Sequence, residues 1–472
     1  MNKAFGDKLS LNSWAKERLP EYLWLRLILS EYEREEGLKK CMDILYGISK
    51  LKLSLDLFSP RISDILSLNS DEQRSIYKII KSYVNAEVLS PMTVILRGEQ
   101  YEHFNQFFYC SNHTLEFKVK KMKETLRLFS YHQDNTTTDL RYLALFLAVL
   151  KGKMVFQNDL VGLEAIKNYA YTNHEDEHMR MYRPFIRATE GIGIDNDNRE
   201  YIEYFWREFG TITGCEPMYI KYEETNKDLT VFIKDIRKLL EYFIAYYKIE
   251  TLESDKFSVI FGTTMYILKI SEEVNGNNLY DSILGRQAYR TILESYIMMK
   301  YLCINEVSNI NIFRDYKLYG IGKYKHVLLK ARESSEIDDK TSQINKVVLS
   351  ALVNETLFEE YLDIDVRYFD SQNIKKKFDV VGELQLYETF YEYNNNYVHG
   401  FWGAVRESSM LPCDNPLHSY HCVLDIENNQ KLTSVKNDLE DLLKKHLNLI
   451  STHYEFPKWF KDTWEEDIQY GL

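Results

Sequence analysis

Leu229, Phe232, Ile233, Ile236, Leu239, Leu240, Phe243 and Ile244 follow one another at three- and four-residue steps. On a helix of 3.6 residues per turn they form one apolar stripe, which needs a partner surface to cover it. The same period governs most of the chain. Leu23, Leu27 and Ile28 open it after Leu19-Pro20, where a first helical turn tolerates proline. Leu284 to Leu302 repeats it, and Leu439, Leu442, Leu443, Leu447 and Ile450 close it in a helix from about Ser434. Strand alternation is nearly absent. With only 8 Pro and 19 Gly among 472 residues, little interrupts long helices, and 36 Tyr supply large amphipathic packing groups. The expected fold class is all-α.

A chain of this length exceeds one ordinary domain. Glu216-Pro217 and the polar run from Glu223 to Asp228 mark a boundary, giving an N-terminal helical domain over 1–217 and a C-terminal bundle over 218–472. Gly37 and Gly47 read as breaks between short helices, and loops are expected near Asp134 to Thr138 and Gly191 to Asn198. Asn275-Gly276-Asn277-Asn278 reads as a turn, following a helical segment from Phe257 to Ile270. Residues 336–375 read as a charged, irregular insertion. A helix from about Val380 turns Val381, Leu384, Tyr387, Phe390 and Tyr391 inward and stops at Gly400.

The formal net charge of −12 opposes long-range attraction to nucleic acid, so any such contact must be local. Lys118-Val119-Lys120-Lys121-Met122-Lys123 and Lys375-Lys376-Lys377 are spaced like solvated helix faces. The six cysteines show no paired framework, no apolar stretch follows a basic start, and the longest apolar run, Tyr142 to Leu150, is far short of a membrane span. A cytoplasmic protein with no membrane partner is expected.

Several strings carry ligand or phosphate chemistry. His174-Glu175-Asp176-Glu177-His178 matches the zinc-hydrolase pattern of two imidazoles one turn apart, with Glu200 or Glu203 available as a third ligand. Its interior is acidic rather than apolar, and Asn173 suits an N-cap, so it reads as a solvated helix start that Pro184 keeps short. Cys413, His418, His421 and Cys422 gather four zinc-type ligands within ten residues. The adjacent His421 and Cys422 do not easily reach one ion, and Pro412 and Pro416 indicate an extended loop packed on the bundle. Asp195-Asn196-Asp197-Asn198 lacks the Gly and Glu of a calcium loop, and Gly191-Ile192-Gly193 lacks the third Gly of a dinucleotide site. Neither a cofactor nor a metal is assigned.

Arg286, Arg290 and Glu294 stand at four-residue steps, hence on one helix face. In Tyr393-Asn394-Asn395-Asn396-Tyr397-Val398-His399-Gly400 an imidazole precedes the helix stop, and amides line the turn beneath it. An imidazole here caps a helix C-terminus or serves as acid or base near neutral pH. Guanidinium groups facing it would stabilise a phosphate-centred transition state.

The Arg286-x3-Arg290-x3-Glu294-Ser295 string with Tyr397-Val398-His399-Gly400 resembles an uncharacterised bacterial family of helical proteins. Leu19-Pro20-Glu21-Tyr22-Leu23-Trp24-Leu25 and Arg183-Pro184-Phe185-Ile186-Arg187-Ala188 resemble parts of the same pattern. The C-terminal region is also similar to the HEPN superfamily, helical bundles that include metal-independent RNases of defence and abortive-infection systems, usually dimeric. His399 matches the His of that motif, and Asn395 or Asn396 its polar residue, whereas Glu392, Tyr393 and Asn394 stand where its Arg is expected. The resemblance implies RNA, a second copy of the chain, and a protein or nucleic-acid trigger as partners. His399 would be the general acid or base, Arg286 and Arg290 the charge-stabilising cations, and Glu294 and Asn396 the orienting groups. Many such bundles have lost catalysis and act as binding or assembly modules, so an interaction scaffold stands as the alternative to an RNase, and the zinc hydrolase as a lesser one.

Overall fold

The structure is a computed structural model, and it describes residues 13–127, 134–154, 161–192, 198–223, 227–334, 342–356, 369, 372–418, 421–464 and 468. Almost every regular element among them is a helix, as the apolar period requires. Two short strands, Met410–Pro412 and Cys422–Leu424, pair with each other. The chain forms two compact units. The first comprises Met1–Met218 with Leu411–Val423, and the second Tyr219–Met410 with Leu424–Leu472. A thirteen-residue excursion of the C-terminal half thus belongs to the first unit, where sequence patterning had shown only a boundary near 217.

Helix Leu19–Glu31 lies at the centre of the first unit. Leu19 through Leu29 are all buried, which makes it apolar all round instead of one-sided. Two of its polar side chains find partners inside: Trp24 Nε1 donates to the Pro60 carbonyl at 2.9 Å, and the Glu21 carboxyl group accepts from Ser63 N and Oγ at 3.0 and 2.7 Å. Helices Arg34–Ser49, Ser70–Tyr83, Asn135–Leu150 and Met179–Ile192 are among those that pack this core with it.

Three expectations are corrected here. Gly37 and Gly47 lie within one helix, Arg34–Ser49. A Cβ on Gly47 would sit 2.8 Å from Ile79 Cγ2 and one on Gly37 3.3 Å from Leu29, so both residues permit close helix packing where breaks were read. Asp134 is no loop residue but the N-cap of Asn135–Leu150, accepting from Thr137 N at 2.5 Å. Pro184 falls inside Met179–Ile192, past its first turn, and the helix nevertheless continues to Ile192. Gly193 and 195–197, which carry most of the glycine and calcium-like strings, lie outside the described residues.

In the second unit, helices Thr230–Tyr246, Asp255–Gly276, Ile283–Asn305 and Lys436–Ser451 enclose one core. The stripe that announced this bundle is buried from Leu229 to Phe243, while Ile244 is exposed. All five apolar positions read in the last long helix, Leu439 to Ile450, are buried. Within 336–375, residues 336–341, 357–368, 370 and 371 lie outside the described set. The rest includes helix Lys346–Thr356, whose Leu349 and Val353 meet Leu328 of helix Ile312–Glu333.

Candidate functional site

The segment ending at His399 is helical from Leu384, with a π-helical turn at Tyr387–Tyr391 before Glu392–His399. Such turns insert a residue into the ladder and re-aim side chains, and they are frequent at functional sites. Gly400 ends it in the left-handed conformation at φ 60°, which its missing Cβ allows, and the Gly400 and Phe401 N–H groups both donate to the Asn396 carbonyl.

This helix packs on Ile283–Asn305, and the two arginines read on one face are both drawn into that contact. Arg286 is buried. Its Nη2 donates to the Thr433 carbonyl at 2.6 Å, and its guanidinium lies over the Tyr393 ring at 5.4 Å. Arg290 donates to Tyr391 Oη at 2.7 Å, lies over that ring at 4.9 Å, and pairs with Glu294 at 2.7 Å. Gln287 Nε2 reaches the Tyr397 carbonyl at 3.2 Å. Burial raises the Tyr391 and Tyr393 phenols above their ordinary range, so both stay neutral donors or acceptors at pH 7. Tyr393 Oη donates to Glu407 at 2.6 Å.

The amides turn inward on their own helix. Asn394 Nδ2 donates to the Phe390 carbonyl at 2.7 Å, and Asn396 Nδ2 to those of Glu392 and Tyr393 at 2.8 and 3.1 Å. Asn394 Oδ1 and Asn395 Oδ1 are buried without a hydrogen-bond partner among the described residues. His399 is exposed. Its ring stacks on Phe401 at 5.4 Å and 25°, and Phe401 and Trp402 are 55% and 69% exposed. Among the described residues no hydrogen bond joins His399 to Arg286, Arg290 or Glu294. The structure therefore brings Arg286, Arg290, Glu294, Tyr391 and Tyr393 together and leaves His399 among solvent-facing aromatic rings. A face of this kind can stack a planar group but has no cation hydrogen-bonded to its imidazole.

The other ligand strings resolve differently. His174 and His178 precede helix Met179–Ile192, in the turns leading to it. They face different carboxylates, His174 Nε2 at 3.5 Å from Asp139 and His178 Nδ1 at 2.7 Å from Asp176. The Asp176 contact holds the His178 imidazole above its ordinary pKa. Of the later cluster, Cys413, His418 and His421 converge in the first unit with Cys215, while Cys422 is not part of the group. Cys215 had no neighbouring ligand in sequence to signal it. Exposed Glu87 and the half-buried Cys110 and His113 also bring ligand atoms together, with Cys110 Sγ 3.6 Å from Glu87.

Residues 257–415 match a family of unknown function, DUF5677. The matched stretch contains Arg286, Arg290, Glu294, Asn396, His399 and Cys413. No curated protein and no solved structure is significantly similar to the chain. Among the described residues no helix is long and apolar enough to cross a membrane.

Proposed function

We propose that this is a protein of the bacterial defence or abortive-infection type, whose HEPN-like C-terminal unit binds single-stranded RNA. The observation that carries the reading is the exposed His399–Phe401–Trp402 face at a glycine-capped helix end. Unpaired bases stack on aromatic and imidazole rings, each stacking contact contributing roughly 1–3 kcal/mol. The formal charge of −12 keeps long-range attraction small, so affinity comes from short-range stacking and depends only weakly on salt.

Binding is favoured over cleavage by the arginine geometry. Metal-free cleavage needs a cation at the phosphate beside the general base. Here Arg286 is held by Thr433 and Tyr393, and Arg290 by Glu294 and Tyr391. Cleavage by His399 would require these contacts to exchange, or a second copy to supply the cation.

Fluorescence anisotropy with single-stranded RNA tests the reading, comparing wild type, Trp402→Ala and His399→Ala. Wild type should bind, and Trp402→Ala should bind roughly tenfold more weakly. No binding by folded wild type overturns the proposal in favour of a protein-interaction scaffold. Expression of wild type and His399→Ala, with growth and RNA integrity as readouts, separates the catalytic variant. RNA loss that disappears in His399→Ala would restore cleavage to this site.

A further inference from the structure

Helix Arg199–Ile212 ends at Thr213, and the chain continues through Gly214, Cys215 and Glu216 to meet the excursion 411–423 within the first unit. Backbone pairing fixes this meeting. Met218 N donates to the Pro412 carbonyl at 2.8 Å, Asp414 N to Glu216 at 2.7 Å, and Cys413 N to His421 at 3.0 Å. Asn415 Nδ2 reaches the Gly214 carbonyl at 2.8 Å, and Leu417 is fully buried in the core. Four side chains converge on this frame. Cys215 Sγ, Cys413 Sγ and one nitrogen each of His418 and His421 all lie within 4.8 Å of one another.

The contacts inside the cluster have the dimensions of a coordination sphere. Cys215 Sγ is 3.3 Å from His421 Nε2, and Cys413 Sγ is 3.6 Å from His418 Nδ1. A tetrahedron with zinc–sulfur bonds of about 2.3 Å and zinc–nitrogen bonds of about 2.0–2.1 Å has sulfur–nitrogen edges of about 3.5 Å. The outer nitrogens determine the tautomers. His418 Nε2 lies 3.1 Å from the Thr213 carbonyl, and His421 Nδ1 lies 2.8 Å from the His418 carbonyl. Carbonyls only accept, so those nitrogens carry the protons, and the lone pairs of His418 Nδ1 and His421 Nε2 face the sulfurs. Donation of the second ring N–H to a carbonyl is the usual outer-shell support of a metal-bound histidine. Glu216 N–H points at Cys413 Sγ from 3.3 Å, a contact that stabilises a thiolate.

We propose that Cys215, Cys413, His418 and His421 form a four-coordinate zinc(II) site that fastens the 411–423 segment to the end of helix Arg199–Ile212. Two cysteines and two histidines are a closed set for this ion, with no position left for water, so the site is structural and not hydrolytic. Zinc displaces both thiol protons and makes the centre neutral. It joins ligands 206 residues apart in sequence and adds a coordinate tie to the backbone pairing that holds the short excursion in the first unit. Thiol–imidazole hydrogen bonds alone would account for each pair but not for four ligand atoms gathered within 4.8 Å of one another.

Metal analysis of the full-length protein, purified under reducing conditions, should find about one zinc per chain. After chelation, cobalt(II) should restore the intense visible bands of tetrahedral coordination and a thiolate charge-transfer band. Cys215→Ser and His421→Ala should lose at least about 100-fold in zinc affinity, while Cys422→Ser keeps wild-type affinity. The wild-type cobalt spectrum is independent of whether any variant folds. A chain that takes up neither zinc nor cobalt, a Cys215–Cys413 disulfide in freshly isolated protein, or a Cys215→Ser variant that keeps its zinc would each overturn the assignment.

Discussion

Two polar clusters in this molecule are built on opposite principles. In the first unit, Cys215 joins Cys413, His418 and His421 from some 200 residues away, and the four bring one ligand atom each within 4.8 Å of one another. In the second, Arg286, Arg290 and Asn396 lie along two helices and are answered by a phenol, a carbonyl or a carboxylate nearby, and Glu294 is answered by Arg290 itself. The first arrangement is incomplete without a further atom at its centre. The second engages its arginines through their terminal nitrogens, although Arg286 Nε and Arg290 Nε stay buried without a hydrogen-bond partner among the described residues, and what it leaves to solvent is the aromatic face around His399.

The largest effect that would sharpen this contrast is metal removal. Chelation should sharply raise amide hydrogen exchange at 199–218 and 411–418 and lower the unfolding temperature of the first unit by several degrees, since zinc binding contributes directly to folding. Exchange in helix Lys436–Ser451 should not change. Equal loosening of both units would break the comparison.

One buried group in each unit contributes to stability with a pH slope opposite to the other's. Burial raises the Glu21 carboxyl from 4.5 to about 7 against its two Ser63 hydrogen bonds. Between those values the folded state holds more protons than the unfolded one, so stability falls as pH rises and about 3 kcal/mol is lost above pH 7. In the second unit, His446 is fully buried with Nε2 2.9 Å from Thr264 Oγ1, and burial lowers it to about 4. Here the unfolded state holds more protons between pH 4 and 6.5, so stability rises with pH over that window, again by about 3 kcal/mol. Glu21→Gln should flatten the slope read by exchange in helix Leu19–Glu31, and His446→Gln the slope in Lys436–Ser451. Slopes of the same sign would contradict this account.

Much of the second unit was legible because its helices are one-sided: Leu439 to Ile450 and Leu229 to Phe243 announce their buried faces through spacing alone. The first unit was less so. Helix Leu19–Glu31 is apolar all round, and glycines that admit a neighbouring helix look in sequence like glycines that end one. The alignment of Arg286, Arg290 and Glu294 could be read from four-residue steps, but their engagement by Thr433, Tyr391 and Tyr393 depends on tertiary packing. Three of the four converging ligands stood together in sequence. The fourth was misjudged because Cys422 is adjacent and Cys215 is remote, and periodicity says nothing about contacts across some 200 residues.

If the arginine face is structural, Arg290→Met should strand Tyr391 Oη and leave Glu294 without its ion-pair partner. A lost buried partner costs about 1–3 kcal/mol. Chemical denaturation of the second unit should register that loss, whereas RNA affinity measured on the folded protein should stay within twofold. A folded Arg290→Met protein with strongly reduced RNA binding would place the guanidinium at the ligand and undo the distinction between the two clusters.

The smallest effect on stability belongs to His399. Its ring is exposed and touches Phe401, so His399→Ala should shift the unfolding free energy by no more than about 0.5 kcal/mol, as expected of a surface position. Its effect on RNA binding should be several-fold, because one of the three exposed rings is removed and Phe401 loses its stacking partner. The two measurements separate the roles an imidazole can take before a helix-ending glycine. A helix cap would lose stability and leave binding intact, and a stacking group would do the reverse. If neither quantity moves, the aromatic face is not where RNA sits, although the zinc site in the first unit would stand unaffected. That independence is the sharpest form of the comparison, since each cluster can fail its own test alone.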